Sequence, residues 1–172
     1  MKTITTLLAL FITLSVAAQK VDYDKKLKDL GITLMEPSKP IANYVKAVRT
    51  GNLIFLAGHG PVKTDGSYVT GKVGKELTIE QGYDAARLTA VGLLSTLKAE
   101  IGDFNKVKRI VKVLGMVNCP AEFADHPKVI NGCSDLLVAV FGDKGKHARS
   151  AVGMNSLPMN TSVEIEIIVE VE

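Results

Sequence analysis

The run Val163-Glu-Ile-Glu-Ile-Ile-Val-Glu-Val171 narrows the folds open to this chain more than any other segment. Read with period two, Val163, Ile165, Ile167, Val169 and Val171 fall on one face. Glu164, Glu166, Ile168 and Glu170 fall on the other. A strand patterned this way needs an apolar layer against one side only, so it belongs to a sheet with one covered face.

The covering layer is also visible. Thr78-Ile-Glu-Gln81 has the form of a capping box at a helix start. Ile79, Tyr83, Ala86, Ala90, Leu93, Leu97 and Ile101 then recur at helical spacing, and Gly102 closes the helix. Pro127 suits the first turn of a second helix that buries Ile130, Cys133, Leu137 and Val140 and stops at Gly142. Tyr44–Val48, Leu53–Ala57, Val107–Val117, His147–Met154 and Ser162–Val171 read as strands, with a weaker one at Ser67–Val69. Val21–Gly31 reads as a short polar helix, and the two prolines of Glu36–Ile41 make a loop. The order β-β-(β)-α-β-α-β-β predicts an α+β fold: a single mixed β-sheet with two helices packed on one face. Ile168 among glutamates, in a chain that is 47% hydrophobic, predicts that the other face meets another subunit.

The chain divides into three parts. Met1-Lys2 is a short positive start, Leu7–Ala18 is an apolar run, and small residues precede Gln19-Lys20. That is the layout of a secretory signal peptide over 1–18, cut after Ala17 or Ala18. The run falls short of the roughly 20 apolar residues of a membrane span; the alternative is an anchor that stays attached. Residues 19–40 form an N-terminal helix and linker, and 41–172 form the main domain. The mature protein is expected to be exported, to the periplasm in a Gram-negative source, with no membrane association after cleavage.

Charge and composition exclude several classes of function. The 21 Lys and Arg are interleaved with 18 Asp and Glu, net +3, and there is no tryptophan. A nucleic-acid partner would call for a basic stripe and stacking aromatics. No His/Cys group has metal-ligand spacing, so no metal is expected. Cys119 and Cys133 read as two buried free thiols, with a disulfide as the alternative in an oxidising compartment.

The chemistry centres on Arg149, which stands in the small, apolar strand around Ala148-Arg-Ser-Ala-Val-Gly153. A guanidinium fixed on a rigid strand can bind a carboxylate through two parallel hydrogen bonds. Glu164 supplies a nearby proton carrier.

These residues, taken together, resemble the RidA/YjgF reactive-intermediate deaminase family, in particular its branch labelled chorismate-mutase-like. The resemblance runs from about Leu27 to Glu172. It is carried by Ile41-Ala-Asn-Tyr-Val-Lys-Ala-Val-Arg-Thr-Gly-Asn-Leu-Ile-Phe-Leu-Ala-Gly-His-Gly-Pro61, Tyr68-Val-Thr-Gly-Lys-Val-Gly74 and Pro127-Lys-Val-Ile-Asn-Gly-Cys-Ser-Asp-Leu-Leu-Val138. Ala148-Arg-Ser-Ala-Val-Gly153, Leu157-Pro158 and Val163-Glu-Ile-Glu166 complete it. It implies a homotrimer with ligand clefts between subunits and a fold like that of a small trimeric chorismate mutase, with the last strand placed elsewhere in the sheet than in a hairpin with the Arg149 strand. It implies cofactor-free hydrolysis of 2-imino or 2-enamine acids to 2-oxo acids and ammonium. Arg149 matches the family's carboxylate-binding arginine and Glu164 the glutamate that assists water. Tyr44 matches a cleft tyrosine, Asn131 a helix asparagine near the pocket, and Gly58 the glycine that lets a ligand approach backbone.

Each residue has a structural alternative. Arg149 could be tied to a carbonyl or an interface acid, Glu164 could belong to a solvated strand face, Tyr44 could be plain packing, and Asn131 a helix-surface residue. The chain also departs from the family's deaminases, which carry Ser-Gly-Gln where it has Ala57-Gly58-His59 and often cysteine where it has Ala151. His59 adds a titratable base beside the cleft, or is a loop histidine satisfied by backbone. His126 and His147 read as surface residues. Two functions follow: an imine/enamine deaminase, or a non-catalytic binder of small carboxylate metabolites using the same arginine. A ribonuclease, as some relatives are labelled, lacks its basic groove and paired histidines here.

Overall fold

A computed structural model describes residues 20–37 and 42–172. The expected leader and Ser38–Ile41 of the proline loop lie outside the described residues. Five strands form one mixed sheet: β1 (Ala47–Thr50), β2 (Leu53–His59), β3 (Val107–Asn118), β4 (Ala148–Met154) and β5 (Val163–Val171), in the order β1-β2-β5-β3-β4. β1 and β2 make an antiparallel hairpin around Gly51, whose φ of 56° suits the turn. β5 lies antiparallel between β2 and β3, and β4 runs parallel to β3 at the edge.

The alternation of β5 is realised. Val163, Ile165, Ile167, Val169 and Val171 are all buried, facing the helices. α2 (Ile79–Ile101) starts with the capping box, with Thr78 and Gln81 each bonded to the other's backbone N–H. It ends at Gly102 with φ 75°. α3 (His126–Phe141) carries Pro127 in its first turn and buries Ile130, Cys133, Leu137 and Val140. The helices cross closely at Gly132, where a Cβ would lie 2.0 Å from the Tyr83 carbonyl oxygen.

Four expectations need correction. The expected N-terminal helix forms as α1 (Tyr23–Asp29), but it is not wholly polar. Tyr23 and Leu27, one turn apart, are buried, and Tyr23 packs with Phe104 and Phe141 at 5.8 and 5.6 Å between ring centroids. β1 begins at Ala47, so Tyr44 precedes the strand. Ser67–Val69 forms no strand; Tyr68 and Thr70 make isolated bridges to Val62 and Thr161. His126 and His147 are not surface residues but half-buried, each bonded within the chain. Cys119 and Cys133 are free buried thiols.

The face of the sheet away from the helices is open. Phe55, Ile168 and Lys112 form one row across β2, β5 and β3, flanked by exposed Val48 and Val152. A shallow cavity of about 410 Å³ lies there, lined by Val48, Phe55, Leu114 and Ile168 among others. Among the described residues, no helix is long and apolar enough to cross a membrane.

Candidate functional site

The expected site residues fall into two groups at opposite sides of the sheet. The first gathers at the end of β2, where the register with β5 shifts between Leu56 and His59. Tyr44, Lys46, Gly58, His59, Tyr68 and Thr96 border a cavity of about 250 Å³. The His59 ring is buried against α2. Its Nδ1 lies 2.7 Å from the Ala57 carbonyl oxygen and its Nε2 lies 2.8 Å from Thr96 Oγ1. A carbonyl only accepts, so Nδ1 carries the proton and Nε2 accepts from the Thr96 hydroxyl. Burial and, more weakly, the charge of Lys46 hold the imidazole below its ordinary value, against the pull of the Ala57 carbonyl. His59 is thus neutral with both nitrogens engaged.

Glu164 approaches the same group from β5. A Cβ on Gly58 would stand 2.0 Å from Glu164 Oε1, so the carboxylate occupies the space that a side chain at position 58 would fill. Glu164 is half-buried and pairs with no hydrogen-bond donor among the described residues. Burial, with the nearby Glu166 charge, raises its carboxyl above the usual carboxylate value. An unpaired carboxylate with a raised affinity for protons suits general acid–base work.

The second group lies on the other edge. Arg149 is on β4, and its Nη1 donates to Asn131 Oδ1 at 2.9 Å and to Ser134 Oγ at 3.0 Å. Asn131 and Ser134 are one turn apart on α3 and so share a face. Ser134 Oγ in turn meets His147 Nε2 at 3.0 Å, and His147 Nδ1 lies 2.6 Å from the Gly145 carbonyl oxygen. The sequence reading missed Ser134 and the bonded role of His147. Two spacings pointed to them: Ser134 follows Asn131 by one helical turn, and His147 precedes Arg149 by one strand repeat. Nε and Nη2 of Arg149 find no acceptor among the described residues. Those two N–H groups form the side-on fork that matches a carboxylate. Ala151, one strand repeat beyond Arg149, packs against the core.

A single subunit does not bring the two groups together. β4 is three strand spacings from β2, about 14 Å, and two from β5, about 10 Å, at the usual interval. Glu164 also lies on the open face, whereas Arg149 bonds to α3 on the helical face. Among the described residues, no three His, Cys, Asp or Glu side chains gather as metal ligands.

Residues 24–171 match the family model described as "YjgF/chorismate_mutase-like, putative endoribonuclease". The chain belongs to the YjgF/RidA family. A YjgF/RidA relative, Protein TCP17 of Trypanosoma cruzi, is 40% identical over 145 residues, which cover 84% of this chain and 91% of the relative. A 2-iminobutanoate/2-iminopropanoate deaminase of Dermatophagoides farinae is 28% identical over 135 residues, 78% of this chain and 90% of that one. The crystal structure of Atu1372 from Agrobacterium tumefaciens, a protein described as of unknown function, superposes with a TM-score of 0.81 at 43% identity, covering 87% of this chain and 94% of that one. The YjgF/RidA sheet with its inserted last strand is therefore the architecture here.

Proposed function

We propose that this protein is a cofactor-independent deaminase that hydrolyses 2-imino or 2-enamine acids to 2-oxo acids and ammonium. It works as an exported homotrimer of the chorismate-mutase-like branch, in clefts between subunits. The observation that carries the reading is the Arg149 guanidinium. Nη1 is fixed by Asn131 and Ser134, and the Nε/Nη2 fork is left for a substrate carboxylate. Kinship with a 2-iminobutanoate/2-iminopropanoate deaminase supports the substrate class.

The division of the site supports the assembly. A small imino acid cannot reach across two to three strand spacings, about 10–14 Å, and from one face of the sheet to the other, so Arg149 and Asn131 of one subunit serve the same cleft as Tyr44, Gly58, His59 and Glu164 of a neighbour. The apolar open face supplies the contact surface.

The chemistry asks little of the protein. The iminium carbon is electrophilic. Glu164 takes a proton as water adds to that carbon and returns it to the nitrogen; as the C–N bond breaks, the remaining hydroxyl proton passes by way of Glu164 to the departing ammonia. Imine and water thus become 2-oxo acid and ammonium, with no change of oxidation state. His59, with both nitrogens engaged, shapes the cavity wall beside Gly58.

A non-catalytic carboxylate binder is the second reading. It is favoured by Ala151, which offers neither hydroxyl nor thiol one repeat from Arg149, and by the occupied nitrogens of His59. One assay separates the two. The purified protein should speed 2-oxo acid release from an amino-acid oxidase and its substrate, and Arg149→Ala should abolish the effect. An inactive wild type whose melting temperature rises with a small 2-oxo acid makes it the binder. A shortened product in the periplasm or medium would confirm export; a full-length product kept in the cell would refute it.

A further inference from the structure

Three places outside the proposed chemistry invite attention. Cys119 Sγ and His126 Nε2 lie 3.4 Å apart, but burial raises the thiol above its ordinary value, the reverse of an activated nucleophile. Lys72 Nζ is held by Asn118 Oδ1, the Cys119 carbonyl and the Asn155 carbonyl, and this ties loops together. The chain of groups behind Arg149 carries more.

The direction of each bond in that chain is determined. Arginine only donates and a carbonyl only accepts. The Gly145 carbonyl therefore places a proton on His147 Nδ1. Nε2 of the neutral ring is then bare and accepts the single hydroxyl proton of Ser134. With that proton committed, Ser134 Oγ turns its lone pairs to Arg149 Nη1. Arg149 donates to Ser134, Ser134 to His147, and His147 to Gly145, with no group left over.

We infer that His147 and Ser134 are positioning residues for Arg149, and that the hold on the guanidinium depends on whether the His147 ring carries one proton or two. The inference rests on the reading of Arg149 as the carboxylate clamp. A second ring proton on Nε2 points an N–H at Ser134 Oγ. The hydroxyl proton must then turn away, and two cations face one oxygen. The guanidinium loses its place, and its free fork no longer meets a carboxylate squarely.

The surroundings give the second proton no counter-charge. α3 faces the chain with Asn131 and the buried thiol of Cys133, and β4 faces it with Arg149 itself. On the preceding turn, Asp143 is paired with Lys146 at 2.7 Å, and Lys144 is held at the Val107 carbonyl of β3. Burial and the Arg149 charge keep His147 below its ordinary value, so the holding form prevails at neutral pH.

The test uses the full protein, with 2-oxobutanoate as the carboxylate probe. Wild type should bind it well at about pH 8 and progressively more weakly as the pH falls below the ordinary histidine value of about 6.5. Ser134→Ala and His147→Leu should raise its Kd and the substrate KM about tenfold, the loss of one hydrogen bond to a charged group, with kcat little changed. His147→Gln keeps an acceptor for Ser134 and cannot titrate. It should restore wild-type affinity at about pH 8 and lose the acid weakening. His147→Leu binding like wild type, or His147→Gln keeping the acid weakening, would overturn the inference. If wild type binds no 2-oxo acid at any pH, the carboxylate reading fails by itself. The positioning chain is then decided by nitrogen NMR. The Arg149 Nε–H signal should move in step with protonation of His147 and stay still in His147→Gln. A signal indifferent to His147 refutes the chain.

Discussion

On the deaminase reading, Gly58→Ala should abolish activity while leaving the protein folded. A Cβ at this position would lie 2.0 Å from Glu164 Oε1, 2.8 Å from its Cδ and 3.0 Å from its Cγ, where ordinary contact begins at 3.4 Å. The Oε1 atom must therefore retreat by about 1.4 Å (3.4 − 2.0). All three atoms belong to the free end of one side chain, so it can swing aside for about 0.5–1.5 kcal/mol. Gly58 is not among the residues with positive φ, so alanine fits its backbone. It also recovers about 0.4–1 kcal/mol by restricting the unfolded chain. These nearly cancel, and the melting temperature should hardly move. Activity should not survive as well, because a misplacement of about 1 Å can cost roughly 100-fold. The assay is oxidase-coupled 2-oxo acid release, run on wild type, Gly58→Ala, Glu164→Gln and the double variant. If alanine acts by displacing the carboxylate, the double variant should be no slower than Glu164→Gln alone. If it merely narrows the cavity, the two losses should multiply. A Gly58→Ala enzyme with kcat near wild type would place Glu164 outside the chemistry.

Other perturbations test the fold and the assembly. Gly132→Ala brings a Cβ to 2.0 Å from the Tyr83 carbonyl oxygen and 3.0 Å from the Arg87 nitrogen. These are backbone atoms that cannot yield, so thermal unfolding should show a loss of about 1–3 kcal/mol or more; an unchanged midpoint would refute the close helix crossing. On the proposed trimer, Ile168→Asp, in register with Phe55 and Lys112 on the open face, should leave a monomer by light scattering; a persistent trimer would move the interface elsewhere. Both His59 and His147 are held below the ordinary 6.5, so above that pH neither folded nor unfolded chain protonates them. Below it the unfolded chain takes up protons that the fold resists, and stability should fall with pH toward the folded values. His59→Gln should flatten part of that slope in melting curves. Burial pushes the Cys133 thiol up to about 12 and raises Cys119 as well. Native protein should therefore resist iodoacetamide at about pH 8, and labelling before unfolding would refute their burial.

How much of this was legible in the sequence depended on how local each cause is. The β5 alternation, the α2 capping box and the Pro127–Gly142 helix each depend on neighbours within a few residues, and each formed where it was read. Ser67–Val69 has strand composition, but the glycines on either side leave it only isolated bridges. Tyr44 and Val45 are β-formers too, yet β1 is an edge strand whose pairing ends at Ala47 opposite Leu56, where β2 shifts its register against β5. α1 looked polar because its two buried residues, Tyr23 and Leu27, are outnumbered on a short helix. Their burial depends on Phe104 and Phe141, far along the chain. His147 read as a surface residue at a strand start because Ser134 is brought to it only by the turn after α3.

The candidate site obeys the same rule more severely. Each member is simple in sequence, but its meaning is a relation between strands that no local pattern encodes. The antiparallel insertion of β5 between β2 and β3 places Glu164 against Gly58, and the parallel crossover through α3 places Arg149 against Asn131 and Ser134. Because β4 and β2 end up at opposite sides of one sheet, the same topology that builds each half also keeps the halves apart. A chain folded this way holds a clamp without a proton carrier on its β4 edge and a proton carrier without a clamp on the open face of the central strand β5. On the deaminase reading, then, assembly is part of catalysis: an Ile168→Asp monomer should remain folded, keep its Arg149 network, and hydrolyse nothing. Mixing it with an Arg149→Ala trimer should not restore activity unless the two kinds of subunit assemble together. A folded monomer with wild-type turnover would mean that the whole site lies within one chain, against the separation of its two edges.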